Sequence, residues 1–348
     1  MPSSMEHHND SLFIDLGHNS SYWIHYHCTL ELSVLGQQLT SFFLYLFIFV
    51  FGLIGNTLVI WVNWKWRNTD NVVTFCVLNI GLADLGLVLT LPFWMVEVIF
   101  DSIWVFGRTL CKLIHLIFLV NMYGSIFIVA YMTVERYVAF VRPSVVGSRQ
   151  ERLRRLVVCI TLWFFALFLT LLENVHVDLY EFAGPGCLPI PLYSEIEWYI
   201  SISFLSIIFG FVVPAAIIIT FNFLIARKVK ASYGRDGRRT CWIVHVYSLV
   251  FIACWFPRQL VLLLITLDDL MLGLYSCNAI SLLYYSFHIL DCFSLLHCVA
   301  NPIFYNFLSK GFRSSLASAV VHYLPKQAAK REGNGSSGSS RSHSVVIS

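Results

Sequence analysis

LLHCVANPIFYNF, residues 295–307, stands near the end of a strongly apolar run and decides how the whole chain is interpreted. The stretch carries a His, a Cys and an Asn, and its helical pattern is then interrupted by Pro302. A proline inside a helix removes a backbone donor, so the helix is able to bend there. Pro302 therefore predicts a hinge, and Asn301 predicts a polar side chain placed beside that hinge.

The composition around this stretch is typical of a protein in lipid. Of the 348 residues, 57% are hydrophobic and only 12% are charged, whereas a soluble domain has about 25% charged residues. Long apolar runs reach the roughly 20 residues that cross a hydrocarbon core, and a helix satisfies its own backbone there. The predicted spans one to seven cover residues 41–64, 72–99, 109–140, 153–172, 196–226, 240–267 and 279–306.

These runs predict an all-α membrane protein that consists of one seven-helix bundle. Residues 1–40 are expected to form an extracellular segment, 41–308 the bundle, 309–318 a short amphipathic helix 8 and 319–348 a cytoplasmic tail. The Gly and Ser content of the tail predicts disorder. Its serines are candidate phosphorylation sites, because added phosphates would suit a basic partner. They are Ser336, Ser337, Ser339, Ser340, Ser342 and Ser344.

The distribution of charge predicts the orientation. Of the 23 Lys and Arg, 20 lie on the side of the membrane where spans one, three, five and seven end, and the exceptions are Arg108, Lys112 and Arg258. By the positive-inside rule that basic side is cytoplasmic and the amino terminus is outside. The sequons at Asn9 and Asn19 agree, because they fall in the outer segment, where glycosylation occurs.

Four cysteines fall in or beside outer segments, where disulfides persist: Cys28, Cys111, Cys187 and Cys277. Cys111 heads span three and Cys187 lies in the second outer loop, while Cys28 precedes span one and Cys277 precedes span seven. Three pairings of the four are open from the sequence alone.

Asp84, within NIGLADL, most needs an explanation, because a charge at the bilayer centre costs about 3 kcal/mol on insertion scales. Its expected hydrogen-bonding neighbours are Asn56, Asn121, Ser125 and Asn301. Two roles stay open: polar contact between helices, or an ion or proton site that changes between two packings. Sodium at Asp84 is the candidate ion, and no other cofactor is expected.

No enzyme, metal or nucleic-acid site is predicted. His25, His27 and Cys28 could imitate zinc ligands, but Cys28 is better used in a disulfide. His297 and Cys298 are adjacent, and neighbours on a helix point about 100° apart. The two are therefore not expected to hold one metal ion, and His297 is interpreted as a helix-interface residue.

A set of motifs across residues 45–318 resembles the rhodopsin-like (class A) seven-helix receptors. The matching residues are Asn56, Asp84, Cys111, Glu135-Arg136-Tyr137, Trp163, Pro214, Cys254-Trp255-Phe256-Pro257 and Asn301-Pro302-Ile303-Phe304-Tyr305. The resemblance implies that Trp255 and Pro257 form a toggle and kink and that Arg136 lies where a cytoplasmic partner docks. Span seven has no lysine to hold retinal, and Phe118 stands where amine receptors have an Asp, so opsins and amine receptors are excluded.

The outer side of the predicted bundle is acidic, because its three bases face a large excess of Asp and Glu. A field of one sign concentrates ligands of the opposite sign, so the ligand is expected to be cationic. Glu97, Glu173 and Asp291 lie within or at the lip of spans, where an unpaired carboxylate is expensive. No outer Lys is placed to pair with Glu173 or Asp291, so these acids are expected to bind a ligand's basic amino terminus.

The chain further resembles the chemokine receptors, and within them the atypical, scavenging members. The residues at 90–92, Thr-Leu-Pro, match a helix-bending motif of that group, Trp94 matches its aromatic wall, and the pair at 297–298 matches the one before Asn-Pro. The resemblance implies basic chemokine ligands that contact Glu97, Glu173, Asp291, Trp94 and Phe118. It also implies a disulfide from Cys28 to Cys277 beside the one from Cys111 to Cys187.

Asn222 separates the scavenging and signalling alternatives. The family commonly has a tyrosine there, which meets Tyr305 in the active state, and Asn is too short to make that contact. We therefore expect a plasma-membrane receptor that internalises chemokines with little G-protein output, cycles through endosomes, and uses receptor kinases and arrestin. A conventional Gi-coupled chemokine or peptide receptor is the alternative. A channel or transporter is disfavoured, because no inverted repeat is visible.

Overall fold

The computed structural model shows long helices that pack side by side. It describes residues 33–64, 72–141, 149–181, 184–189, 195–232, 235–271 and 273–308. The helices are α1 (Val34–Trp64), α2 (Val72–Val88), α3 (Leu91–Ile99), α4 (Gly107–Val141), α5 (Arg149–Asn174), α6 (Glu195–Ile207), α7 (Val213–Ser232), α8 (Arg235–Met271), α9 (Cys277–Ser294) and α10 (His297–Leu308). The strands are β1 (Val177–Glu181) and β2 (Pro185–Pro189).

Within the described residues, 7 helical segments are long and apolar enough to cross a membrane, one for each predicted run. They are Val34–Trp64, Val72–Ile99, Gly107–Ala139, Arg149–Asn174, Ile196–Arg227, Cys241–Met271 and Cys277–Tyr305. The predicted seven-helix membrane fold is confirmed. Helix α1 nevertheless begins inside the segment assigned to the extracellular amino terminus, because Val34, Leu35 and Leu39 extend its apolar surface. The predicted helix 8 and the tail lie outside the described residues.

Spans two, five and seven are interrupted helices. The Thr-Leu-Pro sequence at 90–92 separates α2 from α3, as its resemblance to the helix-bending motif implied. A π-helical turn at 208–212 separates α6 from α7, and a turn at 295–296 separates α9 from α10. Pro257 and Pro302 lie inside α8 and α10, where each removes a backbone donor. The bundle therefore contains bends at the positions where side chains of several spans converge.

Span three occupies the centre of the bundle and contacts spans two, four, five and six. Its approach to span four depends on Gly124, because a Cβ atom there would lie 2.6 Å from the ring of Trp163. Spans one and seven meet in the same way, since a Cβ atom on Gly55 would lie 2.7 Å from Pro302. Small residues at such crossings allow helix backbones to approach closely in a membrane. The outward surface carries large apolar side chains suited to lipid.

An antiparallel hairpin of β1 and β2 covers the end of span three that is predicted to be outside, and the all-helical prediction did not include it. Val177 lies opposite Pro189 in the register. Cys187 on β2 forms a disulfide with Cys111 near the start of α4, with Cα atoms 5.7 Å apart. This is the pairing that the resemblance implied. Cys277 is also disulfide-bonded, and Cys28, its expected partner, lies outside the described residues.

Candidate ligand pocket and switch residues

Two of the three outer bases, Arg108 and Lys112, form salt bridges with the outer hairpin. Arg108 Nε lies 2.8 Å and Lys112 Nζ 3.1 Å from the carboxylate of Asp178. The backbone N–H of Leu179 donates to the same carboxylate at 2.7 Å. This hydrogen bond and the two neighbouring cations lower the pKa of Asp178 below its ordinary value. Arg108 and Lys112 therefore balance an acid on the hairpin.

The third outer base, Arg258, corrects the prediction for Asp291. Arg258 Nε donates to Asp291 Oδ1 at 2.5 Å, so the carboxylate of span seven already has a cationic partner. Charge alone had suggested that Asp291 was unpaired. The two side chains meet because Arg258 directly follows Pro257 on span six and faces span seven, a relation that linear spacing does not reveal. Arg258 was counted as an outer base, but no role had been assigned to it.

The other two predicted pocket acids differ from Asp291. Glu173 accepts a hydrogen bond from the hydroxyl of Tyr123, a residue that the sequence analysis did not single out. Glu97 is half-buried near the end of α3, and its carboxylate has no hydrogen bond or ion pair with another described residue. Neither acid forms a salt bridge within the described part of the chain. Among the described residues, therefore, neither carboxylate is part of an ion pair.

An aromatic cluster joins spans two and three. The ring centroids of Trp94 and Phe118, both predicted to contact ligand, lie 5.8 Å apart. Trp94 also packs edge-on against His115, at 4.7 Å between ring centroids, and against Trp104 at 5.8 Å. His115 was not predicted, although its place one turn from Phe118 on α4 indicates the same face of the helix. The cluster is thus a candidate aromatic wall for the predicted ligand site.

Asp84 is fully buried and binds two of its four expected neighbours. Ser125 Oγ donates to Asp84 Oδ1 at 2.7 Å, and Asn301 Nδ2 donates to Asp84 Oδ2 at 2.8 Å. Asn121 instead donates to the backbone oxygen of Ile117 at 2.7 Å, one turn back in its own helix. The prediction for Asn121 is therefore wrong as a direct contact.

Asn56, the fourth expected neighbour of Asp84, joins two helix backbones instead. Its Nδ2 donates to the carbonyl of Gly52 at 2.9 Å and to the carbonyl of Cys298 at 2.8 Å. The second bond crosses from span one to span seven and satisfies a carbonyl at the start of α10. Asn56 thus holds spans one and seven together beside Asp84 without binding the carboxylate.

The predicted divergence of His297 and Cys298 is also wrong. His297 Nε2 lies 3.5 Å from Cys298 Sγ and 3.6 Å from Asp84 Oδ1. Both residues lie in the first turn of α10, directly after the turn at 295–296, and their donor atoms nevertheless converge. Donor atoms of Asp84, His297 and Cys298 all lie within 4.8 Å of one another. His297 Nδ1 is 2.7 Å from the carbonyl of Ser294, which fixes the ring at a helix interface, as predicted.

Trp255, the predicted toggle, is 1% exposed and packs beside His297 with ring centroids 5.5 Å apart. Ser125, Trp255, His297 and Asn301 line a small internal cavity next to Asp84. Pro257 follows Trp255 by two residues within α8. Asp84 is therefore linked to α10, which contains Pro302, through Asn301, and α10 is linked to α8, which contains Pro257, through His297 and Trp255.

At the end of span three that is predicted to be cytoplasmic, Glu135 pairs with a side chain of span four. Arg154 Nη2 lies 2.8 Å from Glu135 Oε1 and also 2.5 Å from Glu151 Oε1. Arg136 Nη2 lies 4.0 Å from Cys241 Sγ on span six. Tyr137 packs against Phe221 of span five, with ring centroids 5.3 Å apart.

Asn222 and Tyr305 are bonded to different partners. Asn222 Nδ2 donates to Ser248 Oγ at 2.7 Å, which joins spans five and six. The hydroxyl of Tyr305 donates to Asn63 Oδ1 at 2.8 Å, which joins spans seven and one. The sequence analysis did not single out Ser248 or Asn63. The glycosylation sequons at Asn9 and Asn19 and the six tail serines lie outside the described residues.

The fold and these motifs define a seven-helix receptor, and the chain belongs to the 7 transmembrane receptor (rhodopsin family), whose model matches residues 55–305. It is a receptor and not an enzyme. G-protein coupled receptor 182 of Rattus norvegicus is 40% identical over 324 residues, which are 92% of this chain and 81% of that protein. The same receptor of Homo sapiens is also 40% identical over 324 residues, 92% of this chain and 80% of that protein.

Chemokine receptors are also among the similar proteins. Atypical chemokine receptor 3 of Rattus norvegicus is 35% identical over 286 residues, 81% of this chain and 79% of that protein. C-X-C chemokine receptor type 4-B of Xenopus laevis is 32% identical over 283 residues, 80% of this chain and 78% of that protein. The resemblance to class A receptors of the chemokine-receptor group is thereby confirmed.

Proposed function

We propose that this protein is a cell-surface receptor that binds basic chemokines and internalises them with little G-protein output. The observation that carries the proposal is that the carboxylates of Glu97 and Glu173, near the predicted outer ends of spans two and four, form no salt bridge with another described residue. A carboxylate that loses water without gaining a cation is costly, so a cationic ligand group stabilises both acids. The names of the similar chemokine receptors support the same ligand class.

The proposed mechanism begins with electrostatic attraction of a basic protein to the acidic outer face, with the amino terminus of the receptor outside. The ligand's basic end then enters the pocket between the wall of Trp94 and Phe118 and the two unpaired acids. Binding there would be transmitted through Trp255 and the bends at the prolines. Sequons at Asn9 and Asn19 would carry glycans on the outer segment.

The proposed low G-protein output is supported by the bonds of Asn222 and Tyr305. Asn222 is bound to Ser248, and Tyr305 is bound to Asn63, so each polar group is used within a separate pair of helices. Internalisation would be driven by receptor kinases and arrestin acting on the Ser-rich tail, with cycling through endosomes. This proposal for the tail rests on its sequence.

A conventional Gi-coupled chemokine receptor is the second candidate, because Arg136 and Trp255 are retained at the positions that resemble the class A switch residues. In the deciding experiment, cells that express the receptor are incubated with a panel of basic chemokines. The loss of each chemokine from the medium and the activation of G protein are measured in parallel. Depletion without activation is expected. Activation comparable to that of a signalling chemokine receptor would contradict the scavenging role. Ion flux through the receptor in liposomes would indicate a channel or transporter instead.

The pocket acids are tested by substitution. Glu97→Gln and Glu173→Gln should each weaken binding of a basic chemokine by about tenfold or more, because a charge partner of the ligand is lost. Neutralising Glu97, Glu173 and Asp291 together should abolish capture while surface expression persists. Glu181→Gln is the matched control, since Glu181 is an exposed acid on the outer hairpin. Equal losses in the control and the pocket variants would contradict a defined pocket.

Sodium at Asp84 is part of the same proposal. Ser125 and Asn301, which both donate to the Asp84 carboxylate, line the small internal cavity, and the side-chain oxygens of these three residues are hard donors that suit such a cation. Thermal stability of the purified receptor should be higher in sodium chloride than in choline chloride, and Asp84→Asn should remove the difference. An unchanged difference in Asp84→Asn would exclude this site.

A further inference from the structure

Arg258 is a basic side chain placed among the acids of the outer pocket. Its Nε donates to Asp291 Oδ1 at 2.5 Å, and its guanidinium carbon lies 5.0 Å from the ring centroid of Phe287. Both partners are on span seven, so the guanidinium is held by an ion pair and by a cation–π contact. The side chain of Arg258 is only 16% exposed and that of Asp291 is 32% exposed. This geometry is a largely dehydrated pair, in which each charge depends on the other.

Neither of the other two pocket acids forms a salt bridge with another described residue. Glu173 accepts a hydrogen bond from a neutral hydroxyl, and the carboxylate of Glu97 has no hydrogen bond or ion pair within the described part of the chain. Of the three acids, Asp291 alone forms a salt bridge within the described part of the chain, and Arg258 balances its charge there. The carboxylates of Glu97 and Glu173 form none with the described residues.

We propose that Arg258 is a specificity-determining residue that acts as the permanent counter-ion of Asp291. The cationic group of a ligand is then held by Glu97 and Glu173, while Asp291 stays bound to Arg258. The ligand class that fits is a basic polypeptide end whose positive charge reaches the side of spans two and four. This inference rests on the proposed function and narrows it, because it removes Asp291 from the direct ligand contacts.

The counter-ion role predicts different effects on ligand binding for the two single substitutions and for their combination. Asp291→Asn uncovers the charge of Arg258, which then repels a cationic ligand, so binding should weaken by about tenfold or more. Arg258→Gln leaves Asp291 unpaired and attractive, so binding should be equal to or tighter than that of the unmodified receptor. Arg258→Gln combined with Asp291→Asn removes both charges, so binding should return to within about threefold. If Asp291 contacted the ligand directly, the double variant would remain as weak as Asp291→Asn.

The experiment measures equilibrium binding of a fluorescent basic chemokine, the tightest binder from the panel described above, to cells that express each receptor. Surface amounts are matched with an antibody to an amino-terminal tag. The control variant combines Asp291→Asn with Arg108→Gln, which also removes one outer cation but at an exposed site on the hairpin contact. It should stay weak. Recovery in this control would show that total outer charge, and not the pair, governs binding, and would overturn the proposal.

Each remaining outcome has one meaning. Absence of chemokine binding to the unmodified receptor contradicts the proposed function itself. Binding to the unmodified receptor without recovery in Arg258→Gln/Asp291→Asn overturns only the counter-ion role, as does weakened binding in Arg258→Gln. The double variant decides even where Asp291→Asn fails to reach the surface. Where the double variant also fails, Arg258→Met/Asp291→Leu replaces it, because an apolar pair of similar volume is commonly tolerated in place of a buried ion pair.

Discussion

The ion pair between Glu135 and Arg154 gives the sharpest prediction for stability. Glu135 is 2% exposed, whereas Arg154 is 42% exposed. Arg154→Met would leave a buried carboxylate without a cation and beside the like charge of Glu151. Removal of one partner from a fully buried pair costs about 3 to 5 kcal/mol. Because water reaches Arg154, we reduce the expected loss to about 1 to 3 kcal/mol.

The assay is thermal unfolding of the purified receptor in detergent, where Arg154→Met should lower Tm by about 2 to 8 °C. Adding Glu135→Gln to this variant should recover part of the loss, because no unpaired charge then remains at that position. Arg149→Met is the matched control: it removes an exposed Arg from the same end of α5 and should change stability by less than about 0.5 kcal/mol. An equal effect of Arg149→Met and Arg154→Met would refute the reasoning, as would the absence of recovery in the double variant.

Three further predictions concern a helix crossing, the outer hairpin and coupling. Gly124→Ala should lower the unfolding free energy by about 1 to 3 kcal/mol through its clash with Trp163, and Trp163→Leu should relieve that clash; thermal unfolding of single and double variants measures both. The pKa of Asp178 is lowered from 3.8, so its ion pairs stabilise the fold above that value and are lost as pH falls through the lowered pKa. The Tm difference between the unmodified receptor and Asp178→Asn should therefore be constant from about pH 5 to 7 and shrink below about pH 4; a difference that persists at the lowest pH would contradict the assignment. Asn222→Tyr should increase G-protein activation by chemokine at equal surface expression, and unchanged activation would mean that Asn222 does not limit coupling.

The spans could be predicted because apolar length is a local property of the sequence. The bend at 90–92 could be predicted from its proline and from the resemblance of its motif. The π-helical turn at 208–212 and the turn at 295–296 could not, because they depend on how neighbouring spans pack. The outer hairpin was missed because its strands are short and β2 consists largely of Pro and Gly, which are uncommon in strands.

Contacts of the candidate site could be predicted where a side chain had only one kind of hydrogen-bond partner to choose from. Asp84 needed donors, and Ser125 and Asn301 supply them. Asn121 had a second option, a carbonyl of its own helix, and the sequence does not show which one prevails. The pair of Arg258 and Asp291 joins two spans across a proline bend, so its formation depends on helix rotation, which charge counting does not contain.

Helix α4 runs from Gly107 to Val141 without interruption and is 35 residues long. At 1.5 Å per residue it forms a rod of roughly 50 Å. One end is covalently tied to the hairpin through Cys111, and the other end carries Glu135 and Arg136. An antibody fragment that tilts the hairpin is therefore expected to tilt the whole helix and to displace Glu135 and Arg136 at its far end, without entering the space between the helices.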